Sequence, residues 1–399
     1  MAGLPATPTT MSENLKFWSL AGLALVLTTL SVQVAAAPSI PVPAPPQLGA
    51  SAYILMDHRS GEILAEQNAD LQIEPASITK LMTSYIVFTE LKSGGLALEE
   101  LVPISEKAWR TEGSKMFIEV NTQVSVADLL RGMIVQSGND ASVALAEHVA
   151  GSEETFAALM NQYAKSLGME NSYFANATGL PAPDHLTTAR DIALLSSALI
   201  RDFPDYYRWY SEKEFTYNDI RQHNRNNLLW RDPAVDGLKT GHTSSAGYCL
   251  AASARRGNMR LVSVVMGAAS ENSRADESQK LLNYGFRFFE THLLYSAGEA
   301  LSQARVWKGQ DEQVNLGIEQ DLYVTIPSGQ YDNLRAETEV MSVLTAPLTS
   351  GMEVGQLRVS LNGEVEASAP LLALAGVDRG GFWRRMSHTV SLWFHDFDE

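Results

Sequence analysis

Strand patterns lie at both ends of a long helical stretch, and that separation limits the fold more than any other feature of this 399-residue chain. Ser51–Asp57 and Glu62–Gln67 are β-prone runs joined by the turn Arg59-Ser60-Gly61. Helical spacing then dominates from Ser77 to about Arg201. Strand patterns return at Tyr248–Ala254 and Leu261–Met266, joined by Arg255-Arg256-Gly257-Asn258, and helical spacing follows across Ser278–Glu290. An isolated hairpin is marginal in water. The early and late hairpins can share one antiparallel sheet, with the intervening helices packed against it. Residues 49–290 are thus expected to form an α+β domain.

Beyond Thr291 the pattern changes. Leu322-Val324-Ile326 and Leu357-Val359-Leu361 alternate with polar neighbours, and Asn362-Gly363 is a strong hairpin turn. Residues 291–376 are expected to form a small β-rich domain. From Phe382, the residues Phe382, Trp383, Met386, Val390, Trp393, Phe394 and Phe397 recur at helical steps, with Arg384, Arg385, Ser387, His388 and His395 mostly off that face. At about 24 Å such a helix is too short to cross a bilayer, and its aromatic face suits the membrane surface. Residues 377–399 are assigned as an amphipathic membrane-anchoring helix. Docking on the protein's own core is the alternative, and the acidic Asp396, Asp398 and Glu399 keep it open. At the other end, Lys16, the apolar run Phe17–Leu30 and the small residues around Ala36 have the order of a secretory signal over residues 1–36. The run is shorter than the roughly 20 residues of a membrane span. A stiff Pro-rich linker, 37–48, follows.

Composition narrows the function. Hydrophobic residues at 45% and charged residues at 19% are ordinary for a folded chain, and a mean hydropathy of −0.09 excludes a polytopic membrane protein. The net charge of −16 argues against nucleic acid as a partner. A single cysteine, Cys249, permits neither an internal disulfide nor a cysteine zinc cluster. There is no Walker A sequence, no convincing dinucleotide fingerprint, no H-E-x-x-H pair and no G-x-S-x-G elbow.

Three short motifs remain. In Ser77-Ile78-Thr79-Lys80, residues three apart on a helix set a hydroxyl beside an amine. Serine is a weak nucleophile until a base takes its proton, and a lysine can be that base when burial and a second cation lower its pKa. The helix has an apolar face of Leu81, Met82, Tyr85, Ile86, Phe88 and Leu91, and Gly94-Gly95 ends it. Ser137-Gly138-Asn139 falls between two helical patterns, where a hydroxyl can relay a proton and an amide can orient a carbonyl. Lys239-Thr240-Gly241 can hold an anionic carboxylate at a strand edge, and its glycine would let substrate approach the backbone. Each motif alone is weak. An N-cap serine, a polar turn and a surface lysine are the bland alternatives, and Ser12-Glu13-Asn14, Ser270-Glu271-Asn272 and Lys92-Ser93-Gly94 are decoys.

The three motifs in this order, after a signal segment, resemble the penicillin-binding-protein and serine β-lactamase superfamily. The flanks Val235–Thr243, Asn224–Trp230 and Gly285–Glu290 are similar to the low-molecular-mass D-alanyl-D-alanine carboxypeptidases. The resemblance implies a β-lactamase/transpeptidase-like antiparallel sheet flanked by helices, with the Ser77 helix at its centre, then the β-rich domain and the amphipathic helix. It implies Ser77 as the acylated nucleophile and Lys80 as its base. Ser137 and Asn139 would assist proton transfer and position the peptide. Lys239, Thr240, Gly241 and His242 would bind substrate, with Ser77 and His242 N–H groups as the oxyanion hole. Arg225 and Arg274 match basic positions near the family's cleft and could instead form surface or interdomain ion pairs. The implied substrate is a peptidoglycan pentapeptide ending in D-Ala-D-Ala, with β-lactams as covalent inhibitors and no metal or other cofactor. The implied location is the periplasmic face of the bacterial inner membrane, peripherally attached.

Three rivals use or mimic the same site. A class A β-lactamase supplies a glutamate from a loop after the second motif, and Asn176–Thr188 contains none. A D,D-endopeptidase would use the same residues. A wall-binding protein with a dead site is at odds with the intact Ser77, Lys80 and Lys239.

Overall fold

The computed structural model describes residues 41–395. The signal segment 1–36 and the start of the linker lie outside the described residues. Residues 41–48 run without regular secondary structure, and Tyr284 donates its hydroxyl proton to the Pro43 carbonyl at 3.0 Å.

A five-stranded antiparallel sheet organises the first part of the chain. Its spatial order is Ile63–Gln67, Ala52–Asp57, Met259–Ala268, Gly247–Arg256 and Val235–Thr243. The early hairpin joins the late one through Ala52–Asp57, where Ile54 faces Val264 and Leu55 faces Ser263. Ala52, Ile54 and Met56 enter one apolar core, while Tyr53 and Leu55 enter a second on the opposite face. That is the two-residue period of a strand. Both faces are covered, so the strand is apolar from Ala52 to Met56. The helices Lys80–Ser93 and Ala189–Asp202 contribute to the first core, and Glu271–Phe288 to the second.

Several elements differ from the sequence expectation. The Ser77–Arg201 stretch is not purely helical: Leu101–Pro103 pairs with Gln123–Ser125 as a two-stranded ribbon. The late helix begins at Glu271 rather than near Ser278, capped by Ser270, whose hydroxyl accepts the Ser273 N–H. Lys80–Ser93 is buried nearly all round, and Gly94 ends it in the left-handed conformation at φ 78°.

The Glu271–Phe288 helix runs directly into the strand Phe289–Tyr295, which pairs with Leu322–Pro327. A six-stranded sheet built from residues 302–373 completes this β-rich region. Asn362 (φ 53°) and Gly363 (φ 94°) form the turn between Glu353–Leu361 and Glu364–Ala373, both left-handed as a tight hairpin demands. The region is held to the first sheet by polar contacts. The Thr291 hydroxyl donates to the buried Asp57 carboxylate at 2.7 Å, Ser60 meets Thr325 at 2.7 Å, and Arg59 lies over the Tyr323 ring.

The final helix, Phe382–His395, turns its polar side to the β-rich region. Arg384 pairs with Glu312 at 2.7 Å, and His388 Nδ1 accepts the Lys308 N–H at 2.8 Å. Phe382, Trp383, Met386, Val390 and Trp393 are exposed, Trp383 by 78%. Phe382, Trp383, Met386 and Val390 therefore lie off the side that meets the β-rich region. Among the described residues no helix is long and apolar enough to cross a membrane.

Candidate active site

The nucleophile turn departs from a regular α-helix. Ala76–Thr79 is a 3-10 turn, and the α-helix starts only at Lys80. Three residues per turn eclipse positions i and i+3, so Ser77 and Lys80 align more directly than on an α-helix. Lys80 Nζ lies 3.1 Å from Ser77 Oγ. The lysine is 1% exposed, and its Nζ also lies 2.7 Å from Asn139 Oδ1 and 2.5 Å from the Thr178 carbonyl. Burial lowers its pKa to about 7, opposed by Asp140 and aided by Arg225. A neutral amine has two N–H donors and one lone pair. Asn139 and Thr178 accept the two donors, which leaves the lone pair for the Ser77 hydroxyl.

Ser137 follows a π-turn, Gly132–Gln136, and adopts the left-handed conformation at φ 68°, ψ 34°. A non-glycine residue there stores about 1–3 kcal/mol of strain. Its Oγ accepts a hydrogen bond from Lys239 Nζ at 2.9 Å. Asn139 is not in a loop, as the sequence suggested, but opens the helix Asn139–Ala150. Its Nδ2 donates to the Glu112 carbonyl at 2.6 Å. Asp140 beside it is fully buried and accepts the N–H groups of Met116, Phe117 and Ile118. Together these two side chains pin the 112–118 segment, and Ser114 of that segment lines the cleft.

Lys239, Thr240 and Gly241 lie on the edge strand Val235–Thr243. Lys239 is buried, and desolvation with the charges of Lys80, Arg225 and Arg274 pushes its pKa well below the usual lysine value. A Cβ on Gly241 would approach Pro75 O and Ile78 Cγ1 to 3.0 Å and Ala76 Cβ to 3.1 Å. The glycine lets the strand nest against the nucleophile turn; the space its side chain would need is filled by protein rather than left for substrate. His242 is exposed and stacks on Tyr248 with ring centroids 4.1 Å apart.

Ser77, Ser137, Arg225, Thr240, His242 and Arg274 line one cleft of about 210 Å³. Arg225 is exposed and donates through Nε to the Gln136 carbonyl at 3.2 Å. Arg274 is 4% exposed and donates to the Gly241 carbonyl at 3.2 Å, with Glu271 3.8 Å away. Neither forms an interdomain ion pair in the contacts found. Four basic side chains, Lys80, Lys239, Arg225 and Arg274, thus gather around Ser77 in a chain whose net charge is −16.

Sequence reasoning missed Asp140, Ser114, Tyr248, Glu271 and Thr178. Asp140 had a signal, because it adjoins the second motif at a helix start. Thr178 had none, since it acts through its backbone carbonyl. In the loop where a class A β-lactamase would offer a glutamate, that carbonyl is what meets Lys80. Cys249 is fully buried opposite Gly241, its pKa raised to about 11 by burial.

A serine aligned with a buried lysine, a strained second serine and a lysine-bearing edge strand on an antiparallel sheet define an active-serine enzyme of the penicillin-binding class. The profile of D-alanyl-D-alanine carboxypeptidase, peptidase family S11, matches residues 40–270, and that of the penicillin-binding protein 5 C-terminal domain matches residues 289–379. The chain belongs to the S11 D-alanyl-D-alanine carboxypeptidase family of serine peptidases. It is 49% identical over 360 residues to D-alanyl-D-alanine carboxypeptidase DacC of Escherichia coli K12, covering 88% of this chain and 90% of that one. To DacA of the same organism it is 45% identical over 362 residues, covering 89% and 90%. The crystal structure of penicillin binding protein 5 from Haemophilus influenzae matches with a TM-score of 0.82 at 47% identity, covering 84% of this chain and 100% of that one.

Proposed function

We propose that this chain removes the terminal D-alanine from peptidoglycan pentapeptides through an acyl-enzyme on Ser77. The observation that carries the assignment is the buried Lys80 amine, 3.1 Å from Ser77 Oγ with a pKa near 7. Near neutral pH about half of such a lysine is uncharged, so it can take the serine proton. The Ser77 oxygen then attacks the carbonyl between the two D-alanines. The backbone N–H groups of Ser77 and His242 stabilise the oxyanion. Lys239, Thr240, Arg225 and Arg274 hold the terminal carboxylate, which the local excess of positive charge favours. The proton passes to the leaving amine through Lys80 and Ser137, D-alanine departs, and water hydrolyses the ester. A β-lactam presents the same carbonyl and carboxylate and acylates Ser77.

The expected signal segment places the enzyme on the periplasmic side of the inner membrane. The exposed aromatic face of Phe382–His395 holds it there as a peripheral protein. Residues 49–290 are the catalytic domain and 291–376 carry it above the membrane. The test is free D-alanine released from a peptide ending in D-Ala-D-Ala. Wild type is expected to release it and Ser77→Ala to release none; no release by wild type, or equal release by both, overturns the proposal.

A further inference from the structure

The loop after the second motif holds a network that the mechanism above does not use. Asn176 Oδ1 accepts three hydrogen bonds, from the Thr178 N–H at 3.1 Å, the Thr178 hydroxyl at 2.9 Å and the Gly179 N–H at 2.8 Å. Three donors on one atom establish it as the carbonyl oxygen, so the other atom is the amide nitrogen. That Nδ2 donates to the Leu180 carbonyl at 2.9 Å and lies 3.3 Å from His185 Nδ1. His185 Nδ1 must then accept, so its proton sits on Nε2, which meets Thr79 Oγ1 at 3.0 Å. His185 is 2% exposed, and Thr79 is the residue immediately before Lys80. The loop backbone is fixed further by Thr83, whose hydroxyl donates to the Ala177 carbonyl at 2.8 Å, and by Glu153, which accepts the Ala177 N–H at 3.2 Å. The outcome of this bonding is one carbonyl, that of Thr178, aimed at Lys80 Nζ.

We infer that Asn176, braced by His185, is a positioning residue that orients the Lys80 amine by holding the Thr178 carbonyl against it. The inference rests on Ser77 as nucleophile and Lys80 as its base. With Asn139 and the Thr178 carbonyl accepting both N–H groups, the lone pair can face only Ser77. If the Thr178 carbonyl swings away, the amine can rotate and donate to Ser77 Oγ instead. That hydrogen bond has the wrong polarity for removing the serine proton. Asn176 does not line the Ser77 cleft, so its loss should slow the chemical step and leave ground-state binding alone.

The test is acylation of the full-length protein by a chromogenic β-lactam, with rapid mixing to separate the binding constant from the acylation rate constant. For Asn176→Ala the rate constant is expected to fall about 10- to 100-fold, the scale of a misplaced catalytic group, with the binding constant unchanged within about twofold. Asn176→Ser, whose hydroxyl can still accept in the turn, is expected to recover part of the rate. It also carries the test if the alanine variant does not fold. An unchanged rate constant in a folded Asn176→Ala protein overturns the inference. So does a loss shared equally between rate and binding, which marks a general collapse of the loop. If wild type itself is not acylated, the assignment of Ser77 has failed instead.

Discussion

Replacing Lys80 by methionine should change how stability depends on pH, in a direction the structure dictates. The folded protein holds Lys80 at a pKa of about 7, and an unfolded chain holds a lysine near 10.5. Between those values the unfolded chain binds a proton that the folded one does not, so stability rises with pH across this window. Above about pH 10.5 the lysine is neutral in both states and carries no penalty. Below about pH 7 the penalty is complete. At 1.36 kcal/mol per pH unit it is about 5 kcal/mol, as large as the total stability of many domains. Methionine removes this penalty but leaves Asn139 Oδ1 and the Thr178 carbonyl without their donor, at about 1–3 kcal/mol each. The two effects nearly offset at neutral pH, so the decisive quantity is the slope. Guanidinium unfolding at pH 7.5 and 9.5 should show wild type gaining roughly 2–3 kcal/mol on Lys80→Met. Lys239 titrates in both proteins; losing the Lys80 charge raises its pKa, which only flattens the variant's profile further. A difference between the two proteins that stays constant with pH would refute a lysine kept neutral by burial.

Two further outcomes follow from the packing. Gly179 has φ 86°, and a Cβ there would overlap the Ala76 carbonyl beside the nucleophile. Gly179→Ala should cost about 2 kcal/mol or more, seen as a lower Tm, and should suppress β-lactam acylation; a variant with wild-type Tm and acylation would contradict this. Removing residues 382–399 should abolish sedimentation with lipid vesicles and leave D-alanine release unchanged, because the contacts of that helix found in the structure are with Trp307, Lys308, Gln310 and Glu312. Undiminished vesicle binding by the truncated protein would remove the helix as the anchor.

Much of the site was legible because its chemistry lies in residue types at short spacing. Ser77 and Lys80 are three apart, and a helical turn of either kind brings them together. The sheet was legible for a related reason: two hairpins with covered faces have few other ways to satisfy their edges. The sequence could not show that Ala76–Thr79 is a 3-10 turn or that Ser137 sits in a strained left-handed conformation. Local propensity favours neither; Gly241 of the edge strand and Gly179 hem in the nucleophile turn, and the Lys239 hydrogen bond holds Ser137.

The sequence by itself determined which groups are present: two serines, two lysines, an asparagine and an apolar helix to carry the first pair. Only the tertiary structure decided their protonation and aim. Burial is a property of the whole packed core, and it is the main cause that lowers Lys80 to a pKa where it can act as a base. The Thr178 carbonyl, about a hundred residues away in the chain, completes the arrangement through a backbone atom that every residue type possesses, so no reading of side chains could have singled it out.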